Sequence, residues 1–275
     1  MNEMDFNARA GWNSGLGPGI RRAVSVMLAA AILAAVPSMV AASYTTNAVA
    51  DAFVAAGPTG NLSNNNYGGG GALAIAAGGL PNGEFQSVIR FSLSGARNSF
   101  DAQYGPGQWS VLSVTLQLAS SPHNNAIYNN IAAGLFDVSL MQNNSWVEGT
   151  GNASSPTTNG ITYSSLQGVY INNATDQALG SFSFDGSTSG SRSYSLGLSS
   201  ALTADILAGG DVSLRLYAGD SNVSYLFSSR AATPSSNEPE LSIVVVPEPG
   251  CVGLVVLALA VGLGRRDARL RSFNP

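Results

Sequence analysis

Lysine is absent from this 275-residue chain; all twelve of its cationic side chains are arginine, against sixteen aspartates and glutamates, for a formal net charge of -4. Nucleic acids and anionic lipids are bound mainly through clustered Lys and Arg, so both are disfavoured as partners of an acidic chain with scattered arginines. Cysteine is nearly absent too: Cys251 stands alone, so no intramolecular disulfide can form and stability has to come from packing. Histidine occurs once, as His123 in Ser121-Pro-His-Asn-Asn, with no second histidine or cysteine to complete a zinc site and no G-x-S-x-G elbow to make it the base of a serine hydrolase. The glycine run at 68–71 lacks the lysine and the strand-to-helix setting of a phosphate-binding loop. These absences leave neutral glycans and calcium as the ligand classes that the composition permits.

The two ends read differently from the middle. Arg21 and Arg22 precede an apolar stretch at 23–36, and Pro37 and Ser38 then lead to Val40-Ala41-Ala42, a small-residue site. This is the pattern of a secretory signal peptide over residues 1–42 with a long n-region, cut after Ala42 or Ser43. At the other end Pro247, Glu248 and Pro249 form a stiff segment that is expected to stop any strand or helix. An uncharged apolar run at 250–264 follows, without the polar face of a surface helix, and then Arg265, Arg266, Arg269 and Arg271. A fifteen-residue helix rises only about 22 Å against a hydrocarbon core of roughly 30 Å, so a buried core helix is the competing reading. The arginines favour a membrane helix whose basic end stays cytoplasmic while everything before Pro247 lies outside.

This tail, residues 246–275, closely resembles the PEP-CTERM sorting signal of bacterial surface proteins, in which tripeptide, short apolar helix and basic cluster come in this order. The resemblance implies export through the secretion translocon and processing near the tripeptide by an exosortase, a membrane-embedded protease or transpeptidase. The protein is then inner-membrane anchored before processing and afterwards on the cell surface or in extracellular matrix.

Between the signals, residues 44–245 suit one all-β domain. Short alternating or apolar runs rich in β-branched and aromatic residues predict strands at 50–54, 73–76, 87–93, 111–118, 133–140, 179–184, 194–198, 212–218, 223–227 and 241–245. Glycine, Asn and Pro clusters punctuate them. One helix is predicted at 200–208, with serines to cap its start, Gly209 to end it, and Leu198, Leu202 and Ile206 on one face. No repeat is visible, so the expectation is a jelly-roll-like β-sandwich with one short helix. The strings Asp51-Ala-Phe-Val, Ser87-Val-Ile-Arg-Phe-Ser-Leu-Ser, Leu112-Ser-Val-Thr-Leu-Gln-Leu, Trp146-Val-Glu-Gly-Thr-Gly and Gly160-Ile-Thr-Tyr resemble successive landmarks of DNRLRE-type domains, although the six-residue string naming that family is absent. The resemblance implies a secreted, noncatalytic β-sandwich related to carbohydrate-binding modules.

Carboxamides both donate to and accept from sugar hydroxyls, and aromatic rings stack on sugar faces. On that chemistry the glycan-contact candidates are Tyr67, Tyr104, Tyr128, Asn143, Asn144 and Trp146, in or beside Asn-rich loops that turn geometry alone also explains. Asp51, Asp211 and Asp220 are hard-oxygen candidates for a structural calcium ion, without a contiguous calcium-loop pattern. Glu148, with Asp137 or Asp185 as second carboxylate, is the pair a glycosidase would need. The expected functions are therefore extracellular polysaccharide binding, a structural role in envelope or biofilm matrix without a discrete ligand, and, behind both, polysaccharide degradation.

Overall fold

The structure, a computed structural model, describes residues 40–121, 127–128, 130–233 and 237–248. Within it Val40–Glu248 forms one compact unit. The predicted signal peptide up to residue 39, His123, Pro249, Cys251, the apolar run and the four tail arginines lie outside the described residues. No helix among the described residues is long and apolar enough to cross a membrane.

All ten predicted strands are present: β1 (Ala42–Ala55), β2 (Ala72–Ala76), β3 (Phe85–Ser92), β4 (Trp109–Ala119), β5 (Gly134–Met141), β6 (Gln177–Phe184), β7 (Ser191–Leu196), β8 (Asp211–Ala218), β9 (Ser224–Ser228) and β10 (Glu240–Pro247). Every pairing is antiparallel, and the order is β6-β5-β8-β3-β1-β10-β4-β7, with β2 and β9 paired to each other beside β3. The long strand β1 belongs to both halves. Its first part, Ala42 to Asn47, lies on β10, and its second part, Ala50 to Ala55, lies on β3, with an irregularity in the pairing at Val49 between them. Such an irregularity bends a strand and lets it turn the corner between two sheets.

Alternation builds the layers. On β10 Leu241, Ile243 and Val245 are buried, while Ser242 and Val244 are partly exposed. The main core lies between the sheets and joins these to Val114, Leu116 and Leu118 of β4, Ile89 and Phe91 of β3, and Leu214 and Leu216 of β8. The far edges β6 and β7 nearly close the structure, through the Gly197 N–H to Leu179 carbonyl bond at 2.6 Å and the Phe182 and Tyr194 rings at 5.3 Å.

The expectation of one helix is corrected. Besides α1 (Ser94–Tyr104), a single turn α2 (Tyr163–Ser165) runs on into a π-turn at Leu166–Tyr170, and α3 (Ser200–Ala208) matches the predicted helix. In α1 only Ala96 and Phe100 are buried, a pair too sparse to show a helical stripe among Ser, Gly, Arg and Asn. In α3 the Ser199 hydroxyl accepts the Leu202 N–H at 3.2 Å, and Gly209 closes the helix at φ 67°, a left-handed conformation that glycine adopts without strain. Leu202 and Ile206 are buried, but Leu198 precedes the cap and is 43% exposed, so it is not part of that face. Ser199→Ala should cost about 1 kcal/mol in denaturant unfolding by leaving a first-turn amide unpaired; an unchanged midpoint would mean that the cap contributes nothing.

A second correction concerns Pro247, which ends β10, is buried, and pairs with Trp109, while the Glu248 N–H donates to the Gln108 carbonyl at 2.8 Å. Proline is tolerated here because β1 stops pairing at Ala42 with Val245. The pleat points the Pro247 nitrogen to that vacated side, so no ladder bond is lost.

Candidate functional site

Between β5 and β6 the chain leaves the sheets and lies over the outer face of β1, β3 and β5. That face is apolar there, with Ala50, Ala52, Val54, Val88 and Met141, and the crossing segment covers it with Trp146, Ile161 and Leu166. Trp146 donates its indole N–H to the Ser213 hydroxyl at 2.9 Å and lies under the Arg90 guanidinium, 4.9 Å from the ring. Arg90 in turn donates to the Asn144 and Trp146 carbonyls at 2.7 and 3.0 Å.

One buried carboxamide joins this segment to the loop after β1. Asn66 is wholly buried; its amide group donates to the Glu148 and Ile161 carbonyls at 2.7 and 2.8 Å, and its oxygen accepts the Gly68 and Gly151 N–H groups at 3.3 and 3.1 Å. Gly149, at φ 78°, and Gly160 pass so close that a Cβ on either would run into that carboxamide. The strings around Trp146 and Gly160 therefore meet in space around Asn66, in a role that is structural.

Beyond this buried part, the two ends of the crossing segment form an open polar groove of about 350 Å³, with Gln142, Asn143, Asn144 and Ser145 on one wall and Val169, Tyr170, Asn172 and Thr175 on the other. Asp176 fixes the walls to each other by accepting the Gln142 and Asn172 N–H groups at 3.0 and 2.9 Å. Asn143 is folded into a local turn, its side-chain oxygen accepting the Ser145 N–H and hydroxyl at 3.0 and 2.7 Å, and Asn144 donates to the Asp211 carbonyl at 2.8 Å. Val169 is 64% exposed, and Tyr170 beside it is half-buried at the end of the π-turn. The groove offers amides, hydroxyls and one phenol ring, and no charged side chain lines it.

Of the six glycan-contact candidates, only Asn143 and Asn144 reach this groove. Tyr67, Tyr128 and Trp146 are core residues, each about 1% exposed, and are corrected accordingly. Tyr67 stacks on Phe53 at 4.8 Å, and Tyr128 packs edge-on against Phe85 and donates to the Ile75 carbonyl at 3.1 Å, so none of the three presents a face to solvent. Tyr104 stands at the end of α1, donating to the Val40 carbonyl at 2.5 Å. Tyr170, Asn172 and Thr175 also line the groove and are not among those six candidates; nothing local marks Tyr170 as an aromatic that keeps part of its ring at the surface.

The three calcium candidates are not brought together. Asp51 is buried, its Oδ2 accepting the Arg230 N–H at 2.7 Å. Asp211 faces Arg90 at 3.9 Å. The Asp220 carboxylate is taken up by the Asn222, Val223 and Leu135 amides, which hold its carboxyl below the usual aspartate range and staple the turn before β9. Among the described residues, no three His, Cys, Asp or Glu side chains converge to hold a metal ion. Glu148 pairs with Arg230 at 2.9 Å, Asp185 pairs with Arg192 at 2.6 Å, and Asp137 lies opposite Tyr217 on the outer face of β5 and β8. No protein-family model and no curated protein matches this chain.

Proposed function

We propose that this chain is an exported bacterial surface or matrix protein, carried out by its N-terminal signal, processed by an exosortase at its PEP-CTERM-like tail, and bearing a noncatalytic module that binds neutral polysaccharide. The single observation that carries the binding part is the groove walled by Gln142–Ser145 and Val169–Thr175, in which carboxamides and hydroxyls surround the partly buried Tyr170 with no charge among them. Such a lining matches uncharged sugar hydroxyls and supplies no cation to pair with an anion or a phosphate. The strand order supports a jelly roll: β1-β10-β4-β7 on one side and β3-β8-β5-β6 on the other, the eight-stranded double Greek key of many extracellular lectin-like domains. The sorting part rests on Pro247, Glu248 and Pro249, the apolar run and the terminal arginines.

Binding is tested by affinity electrophoresis and calorimetry against a panel of neutral and acidic polysaccharides. Tyr170→Ala should weaken a neutral ligand about tenfold, which is about 1.4 kcal/mol, with the fold retained and a modest fall in melting temperature, because the ring also packs against the cluster of Trp146, Ile161 and Leu166. Saturable binding that survives Tyr170→Ala and Asn172→Ala would remove the groove from the reading, and no binding to any glycan would favour a purely structural matrix protein. One further observation favours that second reading: the outer face of β1, β10, β4 and β7 carries the register row Thr45, Ser242, Thr115 and Ser195, an uncharged hydroxyl strip suited to a hydrated matrix. Mass spectrometry of the protein from its native cells tests sorting, with new termini expected near Ala42 and near the tripeptide; an uncut chain in the cell interior would end that part.

A further inference from the structure

Asp51 lies on the second half of β1, at the strand edge that β10 no longer covers. Its backbone N–H donates to Glu148 Oε1 at 3.3 Å, the Arg230 guanidinium donates to Glu148 Oε2 at 2.9 Å, and Asp51 Oδ2 accepts the Arg230 backbone N–H at 2.7 Å. Three stretches distant in sequence thus close on one carboxyl: β1, the crossing segment at 146–151, and the turn at 229–232. Asp51 is 0% exposed, and its Oδ1 meets no hydrogen-bond donor among the described residues. The charged groups around it are Glu148 from the crossing segment, Arg230 from the turn after β9, and Glu238 ahead of β10. The only guanidinium among them is already committed to Glu148.

A buried carboxyl oxygen without a donor is relieved either by carrying a proton itself or by meeting a cation. The cation reading has only two acidic side chains among the described residues, Asp51 and Glu148, and the Arg230 guanidinium already holds the place beside Glu148. Protonation needs no further side chain to remove the buried negative charge, whose desolvation costs more than one unpaired hydroxyl.

We infer that Asp51 is a proton-operated latch: as a neutral carboxyl it clamps the 229–232 turn and the 146–151 segment onto the open edge of β1, and its ionisation loosens both. This stands independently of the polysaccharide reading. Burial pushes the Asp51 carboxyl up to about 7, with Glu148 and Glu238 adding to the rise, while the Arg230 amide and guanidinium oppose it. The sign follows from linkage. The latched state binds the proton more tightly than the opened state, whose carboxyl has its ordinary value near 3.8. The latch is therefore fully stabilised by the proton below that value and loses this stabilisation as pH rises through about 7.

Hydrogen exchange followed by mass spectrometry on the full chain, corrected for intrinsic rates, tests this. Opening at the Arg230 and Asp51 amides should rise roughly thirtyfold between about pH 5.5 and about pH 8, while the β3–β8 ladder stays unchanged. In Asp51→Asn both segments should remain protected at either pH. Should that variant fail to fold, Glu148→Gln, which removes a negative charge that raises the Asp51 titration and keeps the acceptor, should make the rise in opening smaller than in the unaltered chain and level it off at a lower pH. Opening that does not change with pH in the unaltered chain, or that changes equally in the variants, would overturn the inference. So would protection restored at high pH by added calcium and abolished by chelator, which would make the buried oxygen a cation ligand.

Discussion

Asn66→Ala should cost about 4 kcal/mol, the largest loss expected of any single polar truncation in this domain. The side chain has no exposed surface and bonds two carbonyl oxygens and two amide N–H groups from three separate stretches of chain. Alanine removes the carboxamide while leaving these four backbone groups in place without it, and each buried group left unpaired costs about 1–3 kcal/mol before relaxation and water entry reduce the sum. A domain of this size has about 5–15 kcal/mol in total, so the melting temperature should fall by roughly 10 °C. Asn66→Asp is the sharper variant. It keeps the shape but turns a donor toward two carbonyls into an acceptor, so it should be at least as damaging at neutral pH and partly recover in acid. Thermal and urea unfolding followed by circular dichroism decide the matter; a loss under about 1 kcal/mol would show that the loops find other partners.

Trp146→Ala should cost about 3–5 kcal/mol, and the reason differs. The indole fills the space between the outer face of the sheet and the crossing segment, so truncation opens a cavity that Ala52, Val88 and Leu166 cannot close without moving the segment. It also leaves the Ser213 hydroxyl without its donor and strips the Arg90 guanidinium of the ring it covers. Trp146→Phe keeps most of the packing and should lose only about 1 kcal/mol for the N–H. The contrast with Tyr170→Ala is the useful one: truncating Trp146 should lower stability by several kcal/mol and any ligand binding with it, whereas truncating the partly buried Tyr170 should cost far less stability for a comparable loss of binding. If Trp146→Ala abolished glycan binding at unchanged stability, its ring would have to be reachable from solution, against its burial here.

Strand positions were legible because most strands keep a period of two, with Val, Ile, Leu, Phe or Tyr turned to one side, and the short β2 and β9 are mostly apolar and buried throughout. The first half of β1 escaped because among its inward positions, Ala42, Tyr44, Thr46 and Ala48, only Tyr44 is a large apolar side chain; it is held by pairing with β10, two hundred residues away in the chain. The same non-local pairing explains why Pro247 could close a strand that local chemistry says it should end. The helix α3 was readable from its own caps, whereas α1, with Leu93 at its N-cap and no side-chain cap bond, carries no such mark.

The binding candidates failed where neighbours decide exposure. Tyr67 and Trp146 sit among Asn and Gly, a composition typical of exposed loops, yet these loops fold onto each other around Asn66 and take both rings inside. Asn143 and Asn144 reach the groove because the Asp176 carboxylate pins its two walls, a contact between residues more than thirty positions apart. Burial depends on what lies across from a side chain, and no window of local sequence contains that.

Alternation and caps, being interactions between near neighbours along the chain, were enough to determine from sequence an all-β, acidic, disulfide-free domain with its ten strands and one of its helices. Only the tertiary structure decided which aromatics are core, which carboxyl is sealed from water, and where a polar groove opens. Those outcomes rest on desolvation and on hydrogen bonds closed across long loops, and their energies exist only once distant segments have met.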